Sequence, residues 1–207
     1  MIITGAGGFA AEVLDILYRQ RVADIVFYDD VSAGGPELLF DRFPILRNAA
    51  EAVDYFKNVD NRFVLGTGVP AHRRLLSEKM TGLGGLLTSV VSEDARIGSF
   101  NNTILEGGSI MQGVIITNGI TVGKGCLINW NTTIGHGTRI GNFCDISPGV
   151  HISGGCVIGN CCSLGANAVI LPRIKIADQV IIGASGLVVS DITASGTYVG
   201  IPIKKIK

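Results

Sequence analysis

The chain has 207 residues, of which 47% are hydrophobic and 16% are charged, and its 17 basic residues balance its 17 acidic residues. This composition is typical of a folded globular protein, and the balanced charge gives no basic surface of the kind that binds nucleic acid. The chain begins with neither the charged segment nor the apolar core of a signal peptide, and no apolar run has the length of a membrane span. We therefore expect a cytoplasmic protein without a nucleic-acid or membrane partner.

Residues 1–85 alternate short apolar strands with amphipathic helices, a pattern that is typical of a parallel sheet. The first strand runs into a glycine-rich turn at residues 5–10, the second strand ends at Asp29 and Asp30, and the third ends at Gly66. We predict that this region is an α/β, Rossmann-like domain that binds a nucleotide sugar.

The glycine-rich turn reads GAGGFA and matches the phosphate-binding pattern G-x-G-x-x-A, and the acidic pair ends the next strand. Glycines let a phosphate approach the backbone N–H groups at a helix N-terminus, and a carboxylate at the strand end can bind a ribose or a base edge. The second half of an NAD site is missing from the pattern, so a nucleotide sugar fits better. The alternative is that the glycines only form a tight turn. The residues expected to bind the nucleotide sugar are Gly5, Gly7, Gly8, Asp29, Asp30 and Gly66.

The dominant feature of residues 86–207 is a six-residue repeat. A branched aliphatic residue recurs at every sixth position from Ile104 to Val188, and a small residue often follows it. A hexapeptide period is typical of a β-helix. Three hexapeptides form one triangular coil, so residues 18 apart in the sequence lie above one another, about 4.8 Å apart. We predict an all-β, left-handed parallel β-helix with a C-terminal tail over residues 86–207.

The five cysteines show neither zinc-like spacing nor an even count that would predict a disulfide framework. Four of them occupy the small inward position of the repeat, where cysteine packs as a small hydrophobic residue. We therefore expect no metal site. The four cysteines expected in the core are Cys126, Cys144, Cys156 and Cys162.

A small Rossmann-like domain followed by a hexapeptide β-helix resembles the bacterial family of sialic-acid O-acetyltransferases and nucleotide-linked 4-amino-sugar N-acetyltransferases. The resemblance implies a homotrimer, with acetyl-CoA in the cleft between adjacent β-helices and a nucleotide-linked amino sugar on the N-terminal domain. The segments that carry it are GAGG at 5–8, YDD at 28–30, VLG at 64–66, the repeat, and VGIP at 199–202.

The same resemblance places the catalytic base at His136. The family base is usually followed by an acidic residue, whereas Gly137 follows here, and a second family histidine, which meets the acetyl group, falls at Asp145. Gly154 lies one coil beyond His136, and its missing side chain is expected to leave space for a thioester while its N–H faces the acetyl carbonyl. The alternative is that His136 is an ordinary corner residue. The expected catalytic residues are His136, Asp145 and Gly154.

Acetyl-CoA is expected to run along the β-helix past Asp145, Gly154, Ala166 and Ala184, the last two of which are small and lie one coil apart. The resemblance implies an acetyl-CoA-dependent N-acetyltransferase acting on the 4-amino group of a nucleotide-linked amino-deoxy sugar. The reaction is direct attack with His136 as general base, and the pathway is the biosynthesis of bacterial surface glycan such as lipopolysaccharide O-antigen. Two alternatives stay open: a sugar O-acetyltransferase of the sialic-acid type and a non-catalytic β-helix scaffold.

Overall fold

A computed structural model describes residues 1–32 and 35–207. The elements of its N-terminal part are β1 (Ile2–Thr4), α1 (Gly8–Arg19), β2 (Val26–Tyr28), β3 (Leu38–Leu39), β4 (Phe43–Leu46), α2 (Ala49–Asn58), β5 (Arg62–Leu65), α3 (Pro70–Gly82) and β6 (Leu86–Leu87). They form a six-stranded sheet in the order β3-β4-β2-β1-β5-β6, in which only the pair β3 and β4 is antiparallel among the described strands. This arrangement confirms the Rossmann-like prediction.

The local sequence explains where the helices begin. The side chain of Asn48 accepts a hydrogen bond from the Glu51 backbone N–H at 3.0 Å and so caps α2. Pro70 is the first residue of α3, where its missing N–H costs no hydrogen bond. The residue before α1 is Gly7, which offers no side-chain cap. The first N–H groups of α1 therefore remain available to a ligand.

The rest of the described chain winds into a left-handed parallel β-helix, as predicted. Its strands are β7 (Val90–Val91), β8 (Arg96–Ile97), β9 (Thr103–Ile104), β10 (Ser109–Ile110), β11 (Ile115–Ile116), β12 (Thr121–Val122), β13 (Leu127–Ile128), β14 (Thr133–Ile134), β15 (Arg139–Ile140), β16 (Asp145–Ile146), β17 (His151–Ile152), β18 (Val157–Ile158), β19 (Ser163–Leu164), β20 (Val169–Ile170), β21 (Lys175–Ile176), β22 (Val180–Ile182), β23 (Leu187–Val188), β24 (Gly196–Gly200) and β25 (Ile203–Lys205).

These strands stack into three flat faces. The first face has the order β7-β10-β13-β16-β19-β22-β24-β25, the second β8-β11-β14-β17-β20-β23, and the third β9-β12-β15-β18-β21. Residues 18 apart are paired, as Ile116, Ile134 and Ile152 show on the second face. The predicted coil length is therefore confirmed.

Three corners join the faces, and each carries a column of residues 18 apart in the sequence. The first corner, between the first and second faces, carries Trp130, Pro148, Ala166 and Ala184. The second corner, between the second and third faces, carries Asn118, His136, Gly154 and Pro172. The third corner, between the third and first faces, carries Lys124, Asn142, Asn160 and Asp178.

The inward aliphatic residues form the core of the β-helix, and the four inward cysteines are buried among them. The thiol of Cys126 donates to the Gly141 carbonyl at 3.0 Å, and that of Cys144 donates to the Gly159 carbonyl at 3.0 Å. This confirms that these cysteines are packing residues. Within the described part of the chain, no helix has the length and apolar character needed to cross a membrane.

One buried arginine ties the two parts of the chain together. Arg73 on α3 is fully buried and donates on the sheet side to the carbonyls of Leu65 at 3.3 Å and Thr67 at 2.7 Å. On the β-helix side it donates to the Gly125 carbonyl at 2.7 Å and to the Ser109 hydroxyl at 3.1 Å. The loop after β5 is thereby fixed against the first face.

Candidate functional site

A cavity of about 470 Å³ opens at the carboxyl ends of β1, β2 and β5, the edge at which parallel α/β sheets usually bind ligands. It is lined by the turn after β1, by the end of β2, by Thr67 and by one face of α3. Four of the predicted substrate-binding residues are among the described lining residues, and Gly8 and Gly66 are not. Those four are Gly5, Gly7, Asp29 and Asp30.

The glycines around this cavity have different roles. Gly5 has a φ of +85°, which other residues rarely adopt. A Cβ on Gly66 would lie 2.6 Å from the Thr4 carbonyl oxygen, so Gly66 permits the close packing of β5 against β1. A Cβ on Gly7 or Gly8 would meet no atom within 4 Å. Open space therefore lies over the N-terminus of α1, where free N–H groups and the helix dipole attract an anion.

Two polar atoms of the cavity wall have no hydrogen-bond partner among the described residues: the hydroxyl oxygens of Tyr28 and Thr67. Tyr28 is 1% exposed, and burial raises the pKa of its hydroxyl. The Lys79 ammonium lies 5.2 Å from the centre of the Tyr28 ring, within reach of a cation–π interaction. Leaving a buried hydroxyl unpaired costs roughly 1–3 kcal/mol.

The two aspartates of the predicted acidic pair do different things. The Asp29 carboxylate accepts from the backbone N–H groups of Val31 and Ser32, both at 3.1 Å. Although burial opposes ionisation, these hydrogen bonds keep the pKa of Asp29 below its ordinary value. Asp30 instead forms an ion pair with Lys79 across the cavity, and the hydrogen bond from Lys79 lowers the pKa of Asp30. Asp29 thus shapes the loop, and Asp30 is the carboxylate that pairs across the cavity.

Helix α3 contributes to the cavity, which the sequence pattern was not used to predict. His72, Leu75, Leu76 and Lys79 line it, and their spacing is that of one helical face. Leu75 is 62% exposed, so an apolar surface faces the cavity between two polar ends. The i, i+3, i+4, i+7 spacing of these residues could have revealed this face.

His136 lies at the second corner, and its imidazole packs directly on Gly154. A Cβ on Gly154 would lie 2.7 Å from His136 Nε2 and 2.8 Å from Cε1. The space above Gly154 that was expected to receive a thioester is therefore filled by the imidazole, which corrects that expectation. The Gly154 N–H donates to no acceptor within the described chain, so it remains available to a ligand.

Asp145 is on β16, on the first face, with its side chain in the outward column between Leu127 and Ser163. Burial raises the pKa of Asp145 to about 6, and nearby Arg73 acts in the opposite direction. The second corner lies opposite the first face of a triangular coil. One protomer therefore does not bring His136 and Asp145 together.

The residues predicted to bind acetyl-CoA are also divided between two parts of the coil. Ala166 and Ala184 lie at the first corner, next to the face that carries Asp145, whereas Gly154 lies at the second corner. A single groove on one protomer cannot run past all four residues. Gly154 belongs to another column of the coil, so the four residues can line one acetyl-CoA site only where two protomers meet, and this site stays a prediction.

Comparisons with known proteins agree with this architecture. Residues 1–80 match the family model described as the PglD N-terminal domain. The structure is similar to that of PerB from Caulobacter crescentus in complex with CoA and GDP-perosamine, with 26% identity, a TM-score of 0.88 and coverage of 100% of this chain and 96% of that one.

It is also similar to the acetyltransferase domain of PglB from Neisseria gonorrhoeae in complex with acetyl coenzyme A, with 25% identity, a TM-score of 0.89 and coverage of 99% and 98%. WeeI from Acinetobacter baumannii shares the fold at 23% identity, with a TM-score of 0.90 and coverage of 99% and 98%. No sequence among the curated proteins matches the chain.

Proposed function

We propose that this chain, an acetyl-CoA-dependent sugar acetyltransferase of the hexapeptide-repeat family, transfers the acetyl group to the 4-amino group of a nucleotide-linked amino sugar. The observation that carries the proposal is the cavity at the carboxyl ends of β1, β2 and β5, with the free N-terminus of α1 at its edge. PerB was solved with CoA and GDP-perosamine, and these two ligands belong to the classes of co-substrate and substrate that we propose for this chain.

The cavity suits a nucleoside diphosphate linked to a sugar. The diphosphate lies over Gly7, where it meets the N–H groups at the start of α1. The base and ribose lie along Leu75 and Leu76 toward Asp30 and Lys79, which end the cavity with opposite charges. The sugar then lies near Thr67, the part of the wall that Arg73 fixes against the β-helix.

Within one protomer, His136 and this cavity lie on opposite sides of the β-helix, which supports an oligomer, here a homotrimer, in which neighbouring protomers complete each other's sites. His136 occupies the corner opposite the first face, and the nucleotide-sugar domain packs on that first face. In a trimer of triangular prisms the second corner of one protomer can face the first face of its neighbour. We infer that each complete site combines the sugar cavity of one protomer with His136 of another, and that acetyl-CoA lies between them along Ala166 and Ala184.

The reaction then needs few groups. The neutral amine attacks the thioester carbonyl carbon, and the carbonyl electrons move onto oxygen, where the Gly154 N–H stabilises the charge. His136 takes the proton that the amine loses, a role typically worth about 10²–10⁴ in rate. The C–S bond breaks, and the CoA thiolate leaves with a proton from the imidazolium. We place this activity in the biosynthesis of bacterial surface glycans.

The test is a CoA-release assay with UDP-, dTDP- and GDP-linked 4-amino sugars and their 4-hydroxyl counterparts, with light scattering to determine the oligomeric state. The proposal expects turnover of an amino sugar by a trimer, and a His136→Ala variant that stays trimeric but loses about 10²-fold or more in kcat. Turnover of hydroxyl sugars alone would make the enzyme an O-acetyltransferase. Full activity of a stable monomer would overturn the shared site.

A further inference from the structure

The outward column of the first face contains one residue that its neighbours do not explain. In register from β10 to β22 the column reads Ser109, Leu127, Asp145, Ser163 and Ile181. Asp145 is the charged member of this small and apolar series, and no described residue makes an ion pair or a hydrogen bond with its carboxylate. A partly buried, unpaired carboxylate is expensive, so a charged ligand is the natural partner.

Asp145 does not line the cavity, but it lies on the β-helix face next to the Thr67 wall of the cavity. Thr67 lines the cavity, and its neighbour Gly68 sits over Leu127, with an added Cβ 4.0 Å from Leu127 Cδ2. Leu127 and Asp145 are register partners, so Asp145 is one strand spacing, about 4.8 Å, further along the same face. A sugar that leaves the cavity past Thr67 therefore arrives above Asp145.

The nearby Arg73 already donates its hydrogen bonds to other groups. Arg73 donates to backbone carbonyls on both sides of the domain contact, including Thr67 at 2.7 Å and Gly125 at 2.7 Å, and to the Ser109 hydroxyl. It is the charged group that faces Asp145 from the packed helix, and it does not form a salt bridge with it among the described residues. The Asp145 carboxylate thus keeps its hydrogen-bonding capacity for an incoming group.

We propose that Asp145 binds the protonated 4-amino group of the substrate and so selects amino sugars over hydroxyl sugars. The inference rests on the proposed function and deepens it, because it gives N-acylation a basis in this chain's own residues. A sugar amine arrives at neutral pH largely as the ammonium ion, and an ammonium–carboxylate pair is a strong, charge-assisted interaction. The bound ammonium ion then releases one proton to solvent, and the neutral amine that results attacks the thioester. Burial raises the pKa of Asp145 to about 6, so the carboxylate is ionised at neutral pH and loses its charge in mild acid.

The test compares the affinities of two ligands. Binding of a nucleotide-linked 4-amino sugar and of the same nucleotide sugar with a 4-hydroxyl group is measured at neutral pH by calorimetry for wild type, Asp145→Asn and Ser163→Ala. We expect Asp145→Asn to reduce the ratio of amino to hydroxyl affinity by about tenfold or more, the size of losing a charged hydrogen bond. Ser163→Ala, the next residue of the same column, should leave the ratio unchanged.

Four outcomes are informative. An unchanged ratio in a correctly assembled Asp145→Asn variant would overturn the inference, and so would a loss confined to acetyl-CoA affinity, which would place Asp145 in the acetyl-CoA site. A wild-type protein that neither binds nor acetylates any nucleotide-linked amino sugar would instead overturn the proposed function itself. A wild-type ratio that falls below about pH 6 to the level of the variant would support the charge pair.

Discussion

Replacing Asp145 with asparagine should stabilise the fold, and the gain should depend on pH. Burial raises the pKa of Asp145 from 3.8 to about 6 in the folded protein. Below about pH 4 the carboxyl is protonated in both the folded and the unfolded chain and costs nothing. Between about pH 4 and pH 6 the unfolded chain releases the proton while the folded chain retains it. Stability therefore falls as the pH rises, and the full cost is present above pH 6.

The size of this cost follows from the shift. About two pKa units correspond to roughly 3 kcal/mol. Asp145 is partly exposed, and solvent screening reduces the value, so we expect about 1–2 kcal/mol. Asparagine has nearly the same shape and no charge, so the variant does not lose this stability.

Urea unfolding of wild type and Asp145→Asn between about pH 4 and pH 8, at one protomer concentration, measures the effect. The difference in the free energy of unfolding between the two proteins should move in favour of the variant by about 1–2 kcal/mol across this range. Other titrating groups cancel in the difference, and Ser163→Ala should show no such trend. A difference that does not change with pH would refute the view that Asp145 is a buried and unpaired carboxylate.

Three further predictions concern the two halves of the site. Gly154→Ala should displace the His136 imidazole and lower kcat at least tenfold, because the new Cβ would lie 2.7 Å from His136 Nε2. Gly108→Ala is the control and should keep full activity, because the atom nearest to its new Cβ would lie 3.5 Å away. Steady-state kinetics measures kcat for both variants. Asp30→Asn should raise the KM for the nucleotide sugar and leave that for acetyl-CoA unchanged, and an equal rise in both would contradict the assignment. Ala184→Trp should raise the KM for acetyl-CoA alone, and an unchanged CoA affinity would remove the first corner from the acetyl-CoA site.

The repeat made the fold readable from sequence. An aliphatic residue every six positions can be buried only if each hexapeptide contributes one inward side chain, and the structure pairs residues 18 apart as this requires. The glycine-rich turn and the acidic pair likewise predicted the position of the cavity. These features are local in sequence, so a pattern of neighbouring residues is enough to recognise them.

The different roles of the site residues could not be predicted from the sequence in the same way. Asp29 and Asp30 are adjacent in sequence, but only the structure shows that one caps a turn and the other pairs with Lys79. The role of Arg73 depends on acceptors that are 34 to 53 residues away in the chain. Contacts between residues so far apart in the sequence arise from packing, and no rule of residue spacing predicts them.

The orientation of His136 shows how the fold can replace a missing acidic neighbour. Gly137 has a φ of +68° and no side chain that could orient the His136 ring. The Asn129 carboxamide oxygen already accepts a hydrogen bond from the Trp130 backbone N–H at 2.8 Å. What does touch the imidazole is the backbone of Gly154, one coil further along. A ring that packs against a backbone loses freedom without needing a hydrogen bond, and the 2.7 Å from an added Cβ on Gly154 to His136 Nε2 shows that only glycine allows this approach. The glycine at position 154 therefore serves the base itself, and the acetyl group must approach His136 from the side that faces a neighbouring protomer.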